Sequence, residues 1–266
     1  MKLAISGKGG VGKTLLAALL AQSFAHAGYT VTAIDADPDA NLGLVLGFPN
    51  HDKIIPISEM AGLIQERTDT NPGQAGLYFN MSPRVDDIPT RYAEQRDGVR
   101  LLVMGRPRAA GTGCYCPENA LLAALIAHLL LSPNEVVIMD MAAGIEHLNR
   151  GTARAVDMLV IVAEPSRASI ETGGRIIVLA KNLGLKNVCL VGNKIHREDE
   201  KDFIREAFSD YNILGFIPYD EFLTRAELAG TSKLAASRAV QNAAGEIYAN
   251  LNGISKGGLT GCPNLI

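Results

Sequence analysis

Short, almost wholly apolar runs recur along the chain, and most are followed by a stretch whose apolar residues return with helical spacing. That alternation predicts a mostly parallel sheet covered by helices on both faces, because a strand buried on both sides has no polar face to present. Strands are expected near residues 2–5, 30–34, 77–81, 101–104, 135–139, 158–162, 187–191 and 213–216. Helices are expected near 13–27, 118–131, 169–182, 201–209 and 234–250, with Gly28 and Gly184 standing where two of them should stop. Residues 50–100 read as irregular, rich in Pro, Asp and Arg, with an antiparallel edge strand among them. No repeat or low-complexity linker divides the pattern, so residues 1–266 are expected to form one α/β domain.

Composition supports that reading and narrows the function. At 47% hydrophobic and 20% charged, the chain can bury a substantial core and is not compositionally disordered. A net charge of −3 supplies no general attraction to nucleic acid or anionic lipid. The first residues run directly into a glycine loop without a secretory apolar segment, and the apolar run over 120–131 is too short to span a bilayer and contains His128. Four cysteines are too few for a disulfide framework. The expectation is a soluble cytoplasmic protein without a membrane anchor or nucleic-acid partner.

Candidate chemistry begins at Gly7-Lys8-Gly9-Gly10-Val11-Gly12-Lys13-Thr14, between the first strand and the first helix. Glycines here let backbone N–H groups turn toward phosphate oxygens, and the helix N-terminus adds partial positive charge. Gly9, Gly10, Val11 and Gly12 would cradle the phosphates of ATP, Lys13 would reach the terminal ones and Thr14 would coordinate Mg²⁺. The strand over 135–139 ends in Asp140, a second Mg²⁺-holding position at the C-terminal edge of the sheet. Clustered acids follow the second strand in Asp35-Ala36-Asp37-Pro38-Asp39, where a group that orients the attacking water would lie. Asn193-Lys194 after the run ending at Val191 reads as part of the base pocket. His196 occupies the place where a guanine-binding site needs a carboxylate, which favours adenine.

The extra lysine, Lys8, sharpens the picture. The loop with Lys8 and Lys13 together resembles the deviant Walker A family of nitrogenase iron protein, MinD and ParA-type ATPases and metallochaperone relatives. The resemblance implies that Lys8 acts catalytically across a dimer interface, touching the partner's nucleotide, since its charge has little to do in its own loop once Lys13 is engaged. It also implies that Asp37 orients the water, that Asp35 is a buried structural or Mg²⁺-shell partner, and that Gly144 senses the terminal phosphate. The segment through Pro218 to Asp220 is similar to the family's second adenine-lining stretch. Met141-Ala142-Ala143 is apolar, so no carboxylate is expected in that switch.

Cys114-Tyr115-Cys116 precedes a helix that could begin at Pro117, a position that favours thiolates. Two thiols two residues apart in extended chain point opposite ways, so one chain alone makes a poor tetrahedral site. A two-fold dimer would bring four thiolates together around Ni²⁺ or Zn²⁺. With Gly144-Ile145-Glu146-His147-Leu148, this pair makes the chain similar to the CooC-type maturation ATPases. That resemblance implies a nucleotide-dependent homodimer that inserts nickel into a client, carbon monoxide dehydrogenase or acetyl-CoA synthase. Two alternatives stay open at this point: a MinD/ParA-type positioning ATPase and an iron–sulfur carrier related to nitrogenase iron protein. Cys189 reads as core, and Cys262 and His147 have no assigned role.

Overall fold

The computed structural model describes residues 1–70, 80–105, 117–131, 135–145, 148, 150–153, 155–185, 187–232, 234 and 237–256. Strands form where the apolar runs lie, and once at the polar Glu94–Arg96: β1 (Lys2–Gly7), β2 (Val31–Ala36), β3 (Glu94–Arg96), β4 (Val99–Val103), β5 (Val136–Met141), β6 (Met158–Ala163), β7 (Val188–Ile195) and β8 (Asn212–Pro218). Between them come α1 (Lys13–His26), the short α2 (Leu42–Val45), α3 (Ala61–Thr68), the short α4 (Ile88–Arg91), α5 (Pro117–Leu131) and the short α6 (Arg150–Ala153). The chain continues through α7 (Arg167–Leu183), α8 (Glu198–Ala207), α9 (Glu221–Ala229) and α10 (Arg238–Lys256).

The strands form one sheet in the order β3-β4-β2-β5-β1-β6-β7-β8, parallel throughout except for β3, which pairs antiparallel with β4. Every residue of β1, β2, β5 and β6 is buried, as expected for central strands covered on both sides. Successive side chains alternate between two cores. Leu3 and Ile5 of β1 pack toward α1 and α10, whereas Ala4 between them faces the layer of α3, α5, α7 and α8.

Register decides what meets at the C-terminal edge. β2 and β5 pair so that Asp35 lies beside Asp140, and β5 in turn pairs Asp140 with Ile5 of β1. Because all these strands run the same way, the loops after β1, β2, β5, β6 and β7 open on the same edge.

The sequence expectations differ from the structure in a few places. The antiparallel edge strand expected within 50–100 is β3, whereas the strand expected over 77–81 is not found: residues 77–79 lie outside the described residues, and Asn80 and Met81 belong to no strand. There the Asn80 carboxamide accepts the Ser82 N–H at 2.9 Å, a local turn that competes with strand pairing. Helix α8 begins earlier than expected because Glu200 accepts from the Arg197 and His196 N–H groups and so caps the first turn. Helix α10 begins later, at Arg238, and α9 has no counterpart in the expected pattern. Asp220 starts α9 by accepting from the Phe222 N–H at 2.8 Å.

Gly7 sits where β1 leaves the sheet, with φ +152°, and a Cβ there would lie 2.4 Å from the Val162 carbonyl oxygen of β6. That neighbour is sheet backbone and cannot move aside. Gly7→Ala should therefore cost about 2 kcal/mol or more, measured as a lower urea midpoint, and an unchanged midpoint would contradict this packing.

Candidate functional site

The loop between β1 and α1 is shaped by left-handed glycines. Gly10 (φ +74°) and Gly12 (φ +99°) turn the backbone, and Gly12 leads directly into the first helical residue, Lys13. Lys13 is buried, its ammonium donating to the Lys8 carbonyl at 3.4 Å. Space above Gly9 and Gly10 is open, so backbone faces the cleft there with nothing in its way.

β7 holds this loop from the side. The buried Asn193 carboxamide donates to the Val11 carbonyl at 2.7 Å, and its oxygen accepts the Lys194 N–H at 2.8 Å. Gly12 must be glycine here, since a Cβ would lie 2.1 Å from that carboxamide nitrogen. Lys194, at φ +58°, donates to the Gly10 carbonyl at 2.7 Å. With these carbonyls taken on the outside, the remaining N–H groups of the loop are left for an anion. The two residues expected in the base pocket thus line the cleft and also clamp the phosphate loop.

Two carboxylates are buried at the ends of β2 and β5 beside this loop. Asp35 is fully buried and accepts from the Leu42 N–H at 2.8 Å and the Asp37 N–H at 3.3 Å. Burial pushes its carboxyl up to about 6 despite those hydrogen bonds. Asp140 is 1% exposed, and neither of its oxygens accepts a hydrogen bond of good geometry among the described residues. Burial, with the Asp35 charge beside it, pushes the Asp140 carboxyl up to about 7, against the smaller opposing pull of the Thr14 hydroxyl and Lys13. A buried acceptor left open beside a threonine hydroxyl has the chemistry of a divalent-cation position, and Thr14 and Asp140 fit Mg²⁺ on that ground.

Asp37 is half-buried, lines the same cleft and accepts the Asp39 N–H at 3.0 Å. Ala142 and Ala143, which follow the strand residue paired with Ala36, line the cleft as well, and Gly144 (φ +156°) has its carbonyl taken by the buried Ser6 hydroxyl at 2.6 Å. The cleft encloses about 680 Å³ and is closed on its far side by Pro218, Tyr219, Leu223 and Thr224. His196 stacks on Tyr219 with ring centroids 4.3 Å apart.

Sequence reasoning missed Glu164. It follows β6, and its carboxylate accepts the Lys8 ammonium at 3.2 Å on one oxygen and the Lys194 ammonium at 3.3 Å on the other. Burial would raise this carboxyl, but the hydrogen bond from Lys8 and the charge of Lys194 outweigh it and hold the group below its ordinary value. Lys8 thus has a partner in its own chain but outside its own loop, which the sequence did not indicate. The available signal was an acid at the C-terminal end of an apolar parallel strand, the same signal that marked Asp35 and Asp140.

Residues 2–233 match the CobQ/CobB/MinD/ParA nucleotide binding domain family. The chain belongs to this family. It is 43% identical over 253 residues to the carbon monoxide dehydrogenase accessory protein CooC of Rhodospirillum rubrum, across 94% of this chain and 96% of that one. An ATP-binding protein of Methanocaldococcus jannaschii is 42% identical over 233 residues, covering 86% of this chain and 90% of the relative. Among solved structures, a ParA family ATPase from Chlorobium tepidum has a TM-score of 0.69 at 19% identity, covering 94% of this chain and 98% of that one. MinD from Aquifex aeolicus has a TM-score of 0.67 at 22% identity, covering 95% and 97%. Within the family this chain is a CooC-type P-loop ATPase.

In this CooC-type chain Lys8, Lys13, Thr14, Asp37, Asp140, Asn193, Lys194 and Pro218 lie in or beside one cleft. Cys114 and Cys116, with Glu146, His147 and Cys262, lie outside the described residues. Among the described residues no group of three or more His, Cys, Asp or Glu side chains is placed to hold a metal ion, and no helix is long and apolar enough to cross a membrane. Cys189 is buried in β7, as its apolar surroundings implied.

A carboxyl whose folded pKa exceeds its unfolded one stabilises the fold below the unfolded value and weakens it as pH rises through the folded one. For Asp140 that window runs from 3.8 to about 7. In chelator, Asp140→Asn should therefore be the more stable chain at about pH 8, by on the order of 2–4 kcal/mol, and should lose that advantage toward about pH 4. Urea unfolding across this range checks it; a wild type more stable than the variant at the upper end would mean that the carboxylate is already neutralised.

Proposed function

We propose that this chain is a Mg²⁺-dependent ATPase that closes into a homodimer on ATP and serves as a nickel-insertion factor for carbon monoxide dehydrogenase or acetyl-CoA synthase. The observation that carries the hydrolytic reading is the buried Asp140 carboxylate beside Thr14, which accepts no hydrogen bond of good geometry among the described residues, near a glycine loop with an internal lysine. The client reading is supported by the 43% identity to a carbon monoxide dehydrogenase accessory protein over nearly the whole chain.

In this reading the loop N–H groups and Lys13 bind the phosphates, the lysine exchanging its hold on the Lys8 carbonyl for oxygen atoms of higher charge. Mg²⁺, held by Thr14 and Asp140, would neutralise charge on the terminal phosphates. Asp37, on the segment that leaves β2, orients the attacking water and can accept its proton. Ser6 holds the Gly144 peptide through its carbonyl, so the Gly144 segment is held until a terminal phosphate competes for it. Pro218 and Tyr219 cover the adenine side. Cys114 and Cys116 from two chains hold the cargo ion, Ni²⁺ or, in its absence, Zn²⁺. Because such ligands straddle a two-fold axis, any nucleotide-driven rotation of the protomers changes sulfur–metal geometry and couples the ATP cycle to capture or release.

Two measurements test this. Asp37→Asn should bind ATP about as tightly as wild type while turning over about 10²–10⁴-fold more slowly. Equal turnover would remove Asp37 from the reaction. Anaerobic titration with Ni²⁺ should saturate at about one ion per two chains and lose that site in Cys114→Ala and in Cys116→Ala. Saturation at one ion per chain, or binding retained in both variants, would overturn the shared site.

A further inference from the structure

Lys8 and Lys194 share one carboxylate. Glu164 gives its Oε1 to Lys8 at 3.2 Å and its Oε2 to Lys194 at 3.3 Å, and its side chain is only 19% exposed. Oε1 also accepts the Ser166 hydroxyl at 3.3 Å, and Oε2's partner Lys194 is anchored a second time on the Gly10 carbonyl. The Glu164 N–H donates to the Ser169 hydroxyl at 3.1 Å, so the backbone that carries the carboxylate is tied to the first turn of α7. The carboxylate is thus fixed, whereas the Lys8 ammonium, on a long and partly exposed side chain, has no other hydrogen-bond partner among the described residues.

The charge balance gives this arrangement a direction. With both lysines in place, two ammonium groups share one negative charge. If Lys8 departs, Oε1 keeps Ser166, Oε2 keeps Lys194, and the remaining pair is neutral. Leaving a buried carboxylate unpaired would be costly, but this one is never left unpaired.

The geometry points to Glu164 as a positioning residue that holds Lys8 within its own chain while the cleft is empty and releases it, without losing its own ion pair, when Lys8 engages the phosphates bound to a second copy. The inference rests on the dimer proposed above. It makes Glu164 a threshold: phosphate must outcompete a carboxylate before the two chains can close. Part-exposed ion pairs of this kind hold by a factor of about two to five, and both protomers must release, so the dimer dissociation constant carries about four- to twenty-five-fold.

Sedimentation equilibrium with Mg²⁺ and a non-hydrolysable ATP analogue reads this directly. Glu164→Gln should tighten the dimer by about four- to twenty-five-fold over wild type, and in a Lys8→Ala background the same substitution should change nothing. Glu164→Asp, which keeps the charge but has a shorter reach, should shift the dimer in the same direction and covers the case in which the glutamine variant folds poorly. An unchanged or weaker dimer, or the same gain without Lys8, overturns the inference. A wild type that stays monomeric with the analogue, or dimerises equally without Lys8, overturns the dimer reading instead. The hold on Lys8 is then judged in the nucleotide-free monomer, where an amine-reactive label should modify Lys8 about two to five times faster in Glu164→Gln. Equal labelling overturns it.

Discussion

Two neighbouring carboxylates are buried at the C-terminal edge of this sheet, and one of them accepts no hydrogen bond of good geometry among the described residues. Asp140 and Asp35 stand side by side because β5 and β2 pair in the register that sets them there. Taking such a group out of water costs several kcal/mol unless something pairs with it. The fold tolerates the cost because the strands carrying these acids are apolar and covered on both faces, so the register cannot slip to expose them. The same burial that weakens the empty chain makes the position receptive, since a divalent cation arriving at Asp140 relieves a penalty already present. Stability and ligand affinity are opposite readings of one unsatisfied group.

The phosphate loop meets a related requirement by different means. Its glycines make a backbone path that side chains would obstruct, but glycines alone leave the loop free to take many shapes. Asn193 and Lys194 restrict it from β7 by taking the Val11 and Gly10 carbonyls. The contact is close enough that Gly12 and the Asn193 carboxamide fit together only without a Cβ. Glu164 extends the arrangement to the loop's other lysine, so β1, β6 and β7 each contribute one element of a single charged rim. Two lysines and one glutamate leave that rim net positive, which suits a site for a polyphosphate.

Much of this was legible in the sequence. The apolar runs located seven of the eight strands found among the described residues, and the alternation identified the mostly parallel sheet, because strands buried on both faces cannot disguise themselves as amphipathic. Gly184 ends α7 in the left-handed conformation, as its position implied. Helix α9 and the start of α10 were not legible, since their caps depend on Asp220 and Ser237, and Asp220 accepts from residues on both sides of the intervening loop. Such a bond spans residues that no local period relates. Of the expected strand over 77–81 only Asn80 and Met81 are described, and there the Asn80 side chain turns onto its own backbone instead of leaving it to a strand.

At the site the division is sharper. The places of Lys13, Thr14 and Asp140 were legible in sequence because they depend on distance from a strand end or helix start, and such distances are fixed by covalent spacing. What Lys8, Asn193 and Glu164 touch was decided only in three dimensions. Lys8 and Glu164 are 156 residues apart, and Asn193 and Val11 are 182 apart. Their contacts exist because parallel pairing of β1 with β6, and of β6 with β7, brings three strand ends together. A linear pattern reports which side chains can carry charge; only the pairing of strands determines which charges come within hydrogen-bonding distance.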